Sequence, residues 1–208
     1  MLDKRSPKKI VTEACIVEAA AQLFARHGFT ATTTREIAQL ANLNEVTLFR
    51  YFPRKPDLFL AALELHLGRI KLSRELQMCL AEDDDPAVVV PQIVAFVLNA
   101  LVMHPELKHL LHVAGLELPE ANKTIRNHLG PIFDVPCAYF ERSAAKGAIG
   151  YIEPSLATFG CIGAVAAHQI FRGLFLSEPS INLDSQEAIA SYVRLCLYGM
   201  VPAPASPT

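Results

Sequence analysis

The sequence lacks the motifs that commonly carry enzymatic chemistry. It has no His-Glu-x-x-His metal motif, no Gly-x-Ser-x-Gly nucleophile elbow, no glycine-rich phosphate loop and no pair of Glu-x-x-His motifs. Without them no residue stands out as a catalytic acid, base or nucleophile. We therefore expect no enzymatic activity. An enzyme built on a helical bundle is the competing hypothesis, which a screen for turnover would test.

Cysteine patterns are missing as well. The five cysteines are odd in number, widely separated and never arranged as Cys-x-x-Cys. Each lies among apolar neighbours, which is typical of reduced thiols in a core. His104, His109 and His112 are close in sequence, but only the last two would share a helical face. We assign neither a metal nor a cofactor.

Strand patterns, meaning short β-branched runs of period two between turn residues, are nearly absent. The predicted fold class is therefore all-α. The N-terminus is charged and lacks an apolar run with a cleavage site, and the apolar stretch over 156–167 is too short to cross a bilayer. We expect a soluble cytoplasmic protein with no membrane partner.

Helical periodicity predicts about nine helices. Gly28 is placed to end the first helix in a left-handed conformation. Thr33 and Glu36 match a capping box at the start of the second. We expect prolines at 131 and 136 to kink or split the seventh, and Pro91 to delay the start of the fifth. The predicted ranges are about 8–27, 33–42, 44–52, 56–80, 87–103, 105–115, 119–146, 154–177 and 184–200.

The segment from Thr33 to Lys55, TTREIAQLANLNEVTLFRYFPRK, indicates a helix-turn-helix. Two short amphipathic helices are joined by a tight turn over 42–44, with Asn44 as the N-cap of the second. Leu48 and Phe52 form the buried side of that helix. Its other side carries two aromatic residues, an arginine and a threonine, which suit base edges, thymine methyl groups and phosphates.

The distribution of charge favours a polyanion at the same end of the chain. Residues 1–75 hold twelve Lys and Arg against eight Asp and Glu, a balance of +4, whereas residues 76–208 have a balance of −6. A basic segment on an acidic body suggests that contact with a polyanion is confined to the first segment.

This segment resembles the DNA-binding domain of the TetR-like (TetR/AcrR) repressor family. The family pattern has a first helix ending in Phe and then Gly, followed by Thr-x-x-x-Ile-Ala, a Thr-Leu-aromatic triplet, aromatic-Phe and Lys. The similarity covers roughly residues 10–62 and departs from the pattern at Phe49, where Tyr is frequent, and at Asn42, where Gly is usual. The matching residues are Phe24, Gly28, Thr33, Ile37, Ala38, Thr47, Leu48, Phe49, Tyr51, Phe52 and Lys55.

The resemblance implies an interface with DNA. It places Arg35 where a base edge can be reached, Thr34 at a phosphate near the same helix N-terminus, and Thr47 and Phe49 in the groove. The implied DNA-binding residues are Thr34, Arg35, Glu45, Thr47, Phe49, Arg50, Tyr51 and Lys55.

The resemblance also implies an organisation for the rest of the chain. It predicts a DNA-binding domain over 8–55, a connecting helix over 56–81 and a domain for ligand binding and dimerisation over 82–201. Candidate ligand-binding residues are Phe96, Met103, His112, Phe133, Cys137, Phe140, Phe159, His168 and Phe171. Candidate dimer-interface residues are Gly160, Gly163, Ala164, Ala167, Ile189, Tyr192, Val193, Cys196 and Met200. In each case ordinary packing within one chain is the alternative.

The function that follows is a homodimeric repressor. We expect it to bind double-stranded DNA at an inverted-repeat operator and to be released by a small apolar or amphipathic effector. The alternative is a DNA-binding regulator of the same fold that needs no effector. Stabilisation by a ligand would separate the two.

Overall fold

The computed structural model describes residues 7–83, 85–150, 152–175 and 186–198. These residues form ten α-helices and no strand, which confirms the all-α prediction. The helices are α1 Pro7–Ala31, α2 Thr34–Leu40, α3 Glu45–Tyr51, α4 Lys55–Leu67, α5 Arg74–Glu82, α6 Pro86–Met103, α7 Pro105–Glu117, α8 Ala121–Ala145, α9 Pro154–Phe175 and α10 Gln186–Tyr198. They fall into two compact units. The first contains the described residues up to Arg69 together with His104–His128, and the second contains Ile70–Met103 and the described residues from Leu129 onward.

The core of the first unit forms where α1, α4 and α7 pack together. The apolar side of α1 is largely buried, with Ile16, Ala20 and Phe24 fully covered. The ring of Phe24 lies 5.1 Å from that of Phe59 in an edge-to-face arrangement. Aromatic pairs of this kind stabilise a core beyond the burial of their area, so they hold α4 firmly against α1.

Gly28 interrupts α1 with φ 80° and ψ 174°. The predicted positive φ is therefore present, but the extended ψ differs from the left-handed helical conformation that we expected. The interruption carries the chain to Thr30, whose backbone N–H and hydroxyl both donate to a carboxylate oxygen of Glu117 on α7, at 2.7 and 2.6 Å. These two bonds hold the pKa of Glu117 below its ordinary value.

Gly28→Ala is expected to destabilise the protein by about 1–3 kcal/mol, because this backbone conformation is essentially restricted to glycine. The new Cβ would also lie 2.9 Å from a carboxylate oxygen of Glu117. Urea denaturation measures the change. The matched control is Gly115→Ala in α7, where an added Cβ meets no heavy atom of the described residues within 4 Å and helix propensity favours alanine. Equal stabilities of the two variants would contradict the expectation.

The helix predicted over 56–80 is wrong as a single element. The chain forms α4 up to Leu67 and, after a polar and largely exposed stretch, α5 from Arg74. Ser73 begins α5, since its hydroxyl accepts the backbone N–H of Leu76 at 3.1 Å. A serine N-cap competes with continuation of a helix because it satisfies the free N–H groups of a new first turn.

Helices α6 and α9 build the core of the second unit, together with α8 and α10. We expected a kink or a split at the prolines of α8, and the split is wrong, because α8 runs from Ala121 to Ala145 through both of them. The late start of α6 is also wrong, since that helix begins at Pro86 and contains Pro91. Each internal proline removes one backbone hydrogen bond, and the rest of the helix keeps its own.

One helix in the described residues, α6, is long and apolar enough to cross a membrane by length and composition, with a mean hydropathy of 2.1. The core helix of a soluble protein passes the same test. The core of the second unit includes Val89, Val90, Ile93, Val94, Val97, Leu98 and Leu101 of this helix.

We expect His66 to make the stability of the protein depend on pH. It is 2% exposed, and neither ring nitrogen has a hydrogen-bond partner among the described residues. Burial lowers the pKa of His66, and the charge of Arg69 lowers it further, while Glu18 and Glu106 oppose the shift. The unfolded chain therefore binds a proton more readily than the folded chain as the pH falls below about 6.5.

Stability should consequently be full above that pH and fall as the pH decreases toward the lowered pKa of His66. The slope from this residue is at most about 1.4 kcal/mol per pH unit. His66→Leu is expected to flatten the profile of unfolding free energy against pH between 6.5 and 5. His27→Gln, at an exposed position of α1, is the control. A profile that is equally steep in both variants would contradict this assignment.

Candidate nucleic-acid interface

Local hydrogen bonds determine where the two helices of the motif begin. The hydroxyl of Thr33 accepts the backbone N–H of Glu36 at 3.2 Å, and the carboxylate of Glu36 accepts the backbone N–H of Thr33 at 2.8 Å. This reciprocal pair confirms the predicted capping box. The bonds from Thr33 hold the pKa of Glu36 below its ordinary value.

The turn between the helices also forms as predicted. Asn42 adopts φ 56°, the left-handed conformation that asparagine tolerates better than most residues. The side chain of Asn44 then accepts the backbone N–H of Thr47 at 2.7 Å and caps α3. The start of α3 is thereby determined by a local bond, so its side chains project in defined directions.

The inward-facing side chains of α2 and α3 are buried. Ile37, Ala38 and Leu48 are at most 2% exposed, and Phe52 is 8% exposed. Burial of these residues supports α2 and α3 against the first unit. The opposite sides of α2 and α3 carry the exposed side chains of the motif.

The structure brings the predicted DNA-binding residues together on α2, α3 and the start of α4. Arg35, Phe49 and Arg50 are exposed, with Phe49 at 42%. The other members are partly buried, namely Thr34, Glu45, Thr47, Tyr51 and Lys55.

Glu45 has a structural contact that the sequence did not predict. Its carboxylate accepts a hydrogen bond from the hydroxyl of Thr34 at 2.5 Å. The bond joins the first turn of α2 to the first turn of α3, so it orients the two helices relative to each other. Both residues therefore support the geometry of the motif in addition to any contact with DNA.

Lys55 is likewise held by the protein. Its ammonium lies 4.5 Å from the centre of the Phe29 ring and donates to the carbonyl of Thr30 at 3.3 Å. Burial lowers the pKa of Lys55, while the charges of Glu117 and Glu36 oppose that shift. Sequence reasoning missed these contacts because Lys55 and Thr30 are 25 residues apart, and no local pattern marks the pair.

Val46 is a second omission from the sequence prediction. It lies in the first turn of α3 and is 66% exposed. The available signal was its spacing, since residues 46, 49 and 50 lie within one sector of a helix. An exposed valine beside an exposed phenylalanine makes this part of the surface apolar.

The ligand-binding candidates do not form one group. Phe140 is fully buried in the core of the second unit, and Phe96 and Phe133 pack against that core. The rings of Phe133 and Phe159 lie 5.0 Å apart, although Phe159 is 59% exposed. Because α8 continues through Pro136, the spacing of positions 133, 137 and 140 places them on one helical face.

The remaining candidates differ in their surroundings. Met103 is 73% exposed at the end of α6, and His112 belongs to the first unit. Nδ1 of His168 is hydrogen-bonded to the hydroxyl of Tyr192. The partly buried Cys137 lies on α8. The side chain of Phe171 is outside the described residues.

The dimer candidates on α9 lie in a stripe of small residues. Gly160 and Ala167 are exposed, and Gly163 and Ala164 are partly buried. On α10, Ile189, Tyr192 and Val193 pack partly against the core of the unit, and Cys196 is buried in it. Met200 is outside the described residues.

Cys161 and Cys196 share the core formed by α9 and α10. A hydrogen bond between the two thiols, reinforced by burial, raises the pKa of Cys161 far above its ordinary range. The same bond lowers the pKa of Cys196. All five cysteines are free thiols, but the predicted core location holds only for Cys161 and Cys196 and is wrong for Cys15, which is exposed.

Residues 16–62 match the family of bacterial regulatory proteins named tetR. Over 136 residues the chain is 31% identical to the HTH-type transcriptional repressor NicS of Pseudomonas putida, covering 64% of this chain and 63% of NicS. Over 55 residues it is 47% identical to the uncharacterized HTH-type transcriptional regulator YvkB of Bacillus subtilis, covering 26% of this chain and 29% of YvkB. The chain thus spans less than two thirds of the length of either relative.

The fold is shared over a longer stretch. The fatty acid degradation regulator FadR from Bacillus halodurans superposes with a TM-score of 0.68 at 20% identity, covering 94% of this chain and 97% of FadR. Its low identity means that this likeness speaks for the fold alone. Residues 16–62 are thus similar to the tetR family of bacterial regulatory proteins, the longer match is to the repressor NicS, and the fold of the chain is similar to that of FadR.

Proposed function

We propose that this protein is a transcriptional repressor that binds an inverted-repeat operator as a homodimer and is released by a small effector. The observation that carries the proposal is the outward face of α2 and α3, where Arg35, Phe49 and Arg50 are exposed on a capped and packed helix-turn-helix. Arginine reads guanine edges and neutralises phosphates, and aromatic side chains make apolar contacts in the groove.

Selection of genomic fragments by the full-length protein tests the proposal. The expected result is an enriched inverted repeat, with the logarithm of affinity falling linearly against the logarithm of salt concentration. Each neutralised phosphate adds about 0.9 to the slope. Recovery of no inverted repeat would contradict the repressor proposal.

We propose that the ammonium of Lys55 contacts a phosphate. Lys55→Ala is therefore expected to weaken binding to all sequences alike, because phosphates are the same in every sequence. It should also lower the melting temperature, since the ammonium packs over Phe29 and bonds to Thr30. Fluorescence anisotropy on specific and random duplexes, together with thermal unfolding, measures both effects. Lys123→Ala is the control at an exposed position of α8. A loss confined to one operator base pair would contradict the phosphate contact.

We propose dimerisation through α9 and α10. An exposed apolar stripe on α9 supports this, because Leu156, Phe159, Gly160 and Ala167 fall on one side of the helix at helical spacing. Leu195 of α10 is 65% exposed. Two such helices could meet their counterparts across a two-fold axis, where glycine and alanine permit close approach. Analytical ultracentrifugation at micromolar concentration should show a dimer, and a monomer would contradict the proposal.

We propose an apolar or amphipathic effector for the second unit. Aromatic residues of the kind that line small-molecule sites occur at positions 96, 133 and 140, and the His168–Tyr192 pair supplies polar atoms. The effector would favour the state that binds DNA less tightly, by a coupling of typically about 1–3 kcal/mol. Phe140 is fully buried, which favours a role in core packing over contact with an effector.

A thermal-shift screen of diverse apolar compounds, followed by release of labelled operator, tests the effector. The expected result is a stabilising compound that lowers operator affinity by about 5- to 150-fold. Phe133→Ala should weaken the response to that compound more than Leu116→Ala, a substitution at an exposed position of the first unit. Absence of any stabilising compound from a broad library would favour the effector-free regulator.

A further inference from the structure

Val46 and Phe49 form an exposed apolar pair on α3, with exposed fractions of 66% and 42%. Successive residues of an α-helix are separated by about 100°, so Val46 and Arg50 both lie on the side opposite the fully buried Leu48. Phe49 lies next to them on the same outward sector. The centre of the outward face of α3 is therefore apolar, with an arginine beside it.

The stability of α3 does not explain this pair. Valine is a poorer helix former than alanine, lysine or glutamate, and an exposed side chain contributes little hydrophobic stabilisation. The position of Val46 is nevertheless well determined, because the side chain of Asn44 caps the same turn. A β-branched side chain has little rotamer freedom to lose when it is covered. The pair is thus suited to contact a small apolar group.

We propose, building on the proposed operator binding, that Val46 reads thymine in the operator through the 5-methyl group, with Phe49 closing the other side of that methyl. The thymine methyl is the apolar group that base pairs present in the major groove. Arg35 and Arg50 lie on the same two helices as the apolar pair. Both are exposed, and their guanidinium groups suit a polyanion such as DNA. The bond between Glu45 and Thr34 holds the start of α3 against α2 and so determines where Val46 projects.

The test uses the operator that the full-length protein selects from random double-stranded DNA. Each thymine of a half-site is replaced in turn by deoxyuridine, symmetrically in the two half-sites, which removes the methyl group and leaves base pairing intact. We expect a loss of affinity at one thymine position of about fourfold for each methyl removed, as for burial of one methylene. Val46→Ala should bind the thymine and uracil operators equally well, with unchanged thermal unfolding.

Arg50→Ala is the matched control on the same face. It should weaken binding to both operators and preserve the ratio between them. An operator in which every thymine tolerates replacement would overturn the inference while leaving the proposed function intact. So would a thymine preference that persists in Val46→Ala. If no sequence is selected at all, the proposed function fails, and the reading of thymine fails with it.

Discussion

Gly163→Glu is expected to convert the proposed homodimer into a monomer and to abolish specific operator binding. Gly163 lies on the small-residue stripe of α9, where a two-fold interface would bring two new carboxylates together in a poorly solvated contact. A monomer cannot hold two recognition helices about 34–36 Å apart, the spacing of successive major grooves. Affinity should therefore fall to the non-specific level, a loss of at least about a thousandfold.

The structure makes this substitution a clean test of assembly. A Cβ added at Gly163 meets no heavy atom within 4 Å in the described residues, so the protomer should fold. Gly115→Glu on α7 is the matched control, because its Cβ also meets nothing within that distance. Sedimentation velocity and operator titration are measured for both variants. A dimeric Gly163→Glu protein with undiminished affinity would exclude α9 as the interface.

Arg35→Ala is expected to cost about 1–3 kcal/mol of binding free energy at one operator base pair and to relax the preference there. Arg35 is exposed in the first turn of α2, between the capping-box residues Thr33 and Glu36. An arginine so placed can donate two hydrogen bonds to the edge of a guanine. Its removal should therefore affect one base pair and leave the others unchanged.

Affinities for a set of single-base operator variants measure this loss of preference. Arg126→Ala removes the same charge from an exposed position of α8 in the same unit, and should leave both affinity and preference unchanged. If Arg35→Ala instead weakens every variant by the same factor, Arg35 contacts the backbone. A variant that binds as well as the unmodified protein would exclude Arg35 from the interface.

The motif itself was predictable because its geometry rests on short-range interactions. The capping box and the Asn44 cap each join residues three apart. The left-handed backbone of Asn42 is a conformation that depends on this residue alone. Each bond acts within one turn of chain, so residue type and spacing suffice to predict it. The helical spacing of apolar residues likewise correctly predicted that Leu48 and Phe52 are buried.

Prediction failed where several interactions compete along a helix. Residues 56–80 keep a helical pattern without an internal proline, yet Ser73 starts a new helix. In α8 two prolines are accommodated within one helix. The cost of losing one hydrogen bond is comparable to the packing energy that a continuous helix gains. The balance therefore depends on neighbours that the local sequence does not reveal.

By itself the sequence determined the fold class, the positions of the helix caps in the motif and the resemblance of the N-terminal segment to the tetR family. Tertiary structure alone decided that Glu117 anchors Thr30, that Lys55 packs over Phe29, and that Val46 projects to the outside. The physical reason is the distance along the chain over which each interaction acts. Caps and turns act over three or four residues, whereas these contacts and exposures depend on how distant segments fold against one another.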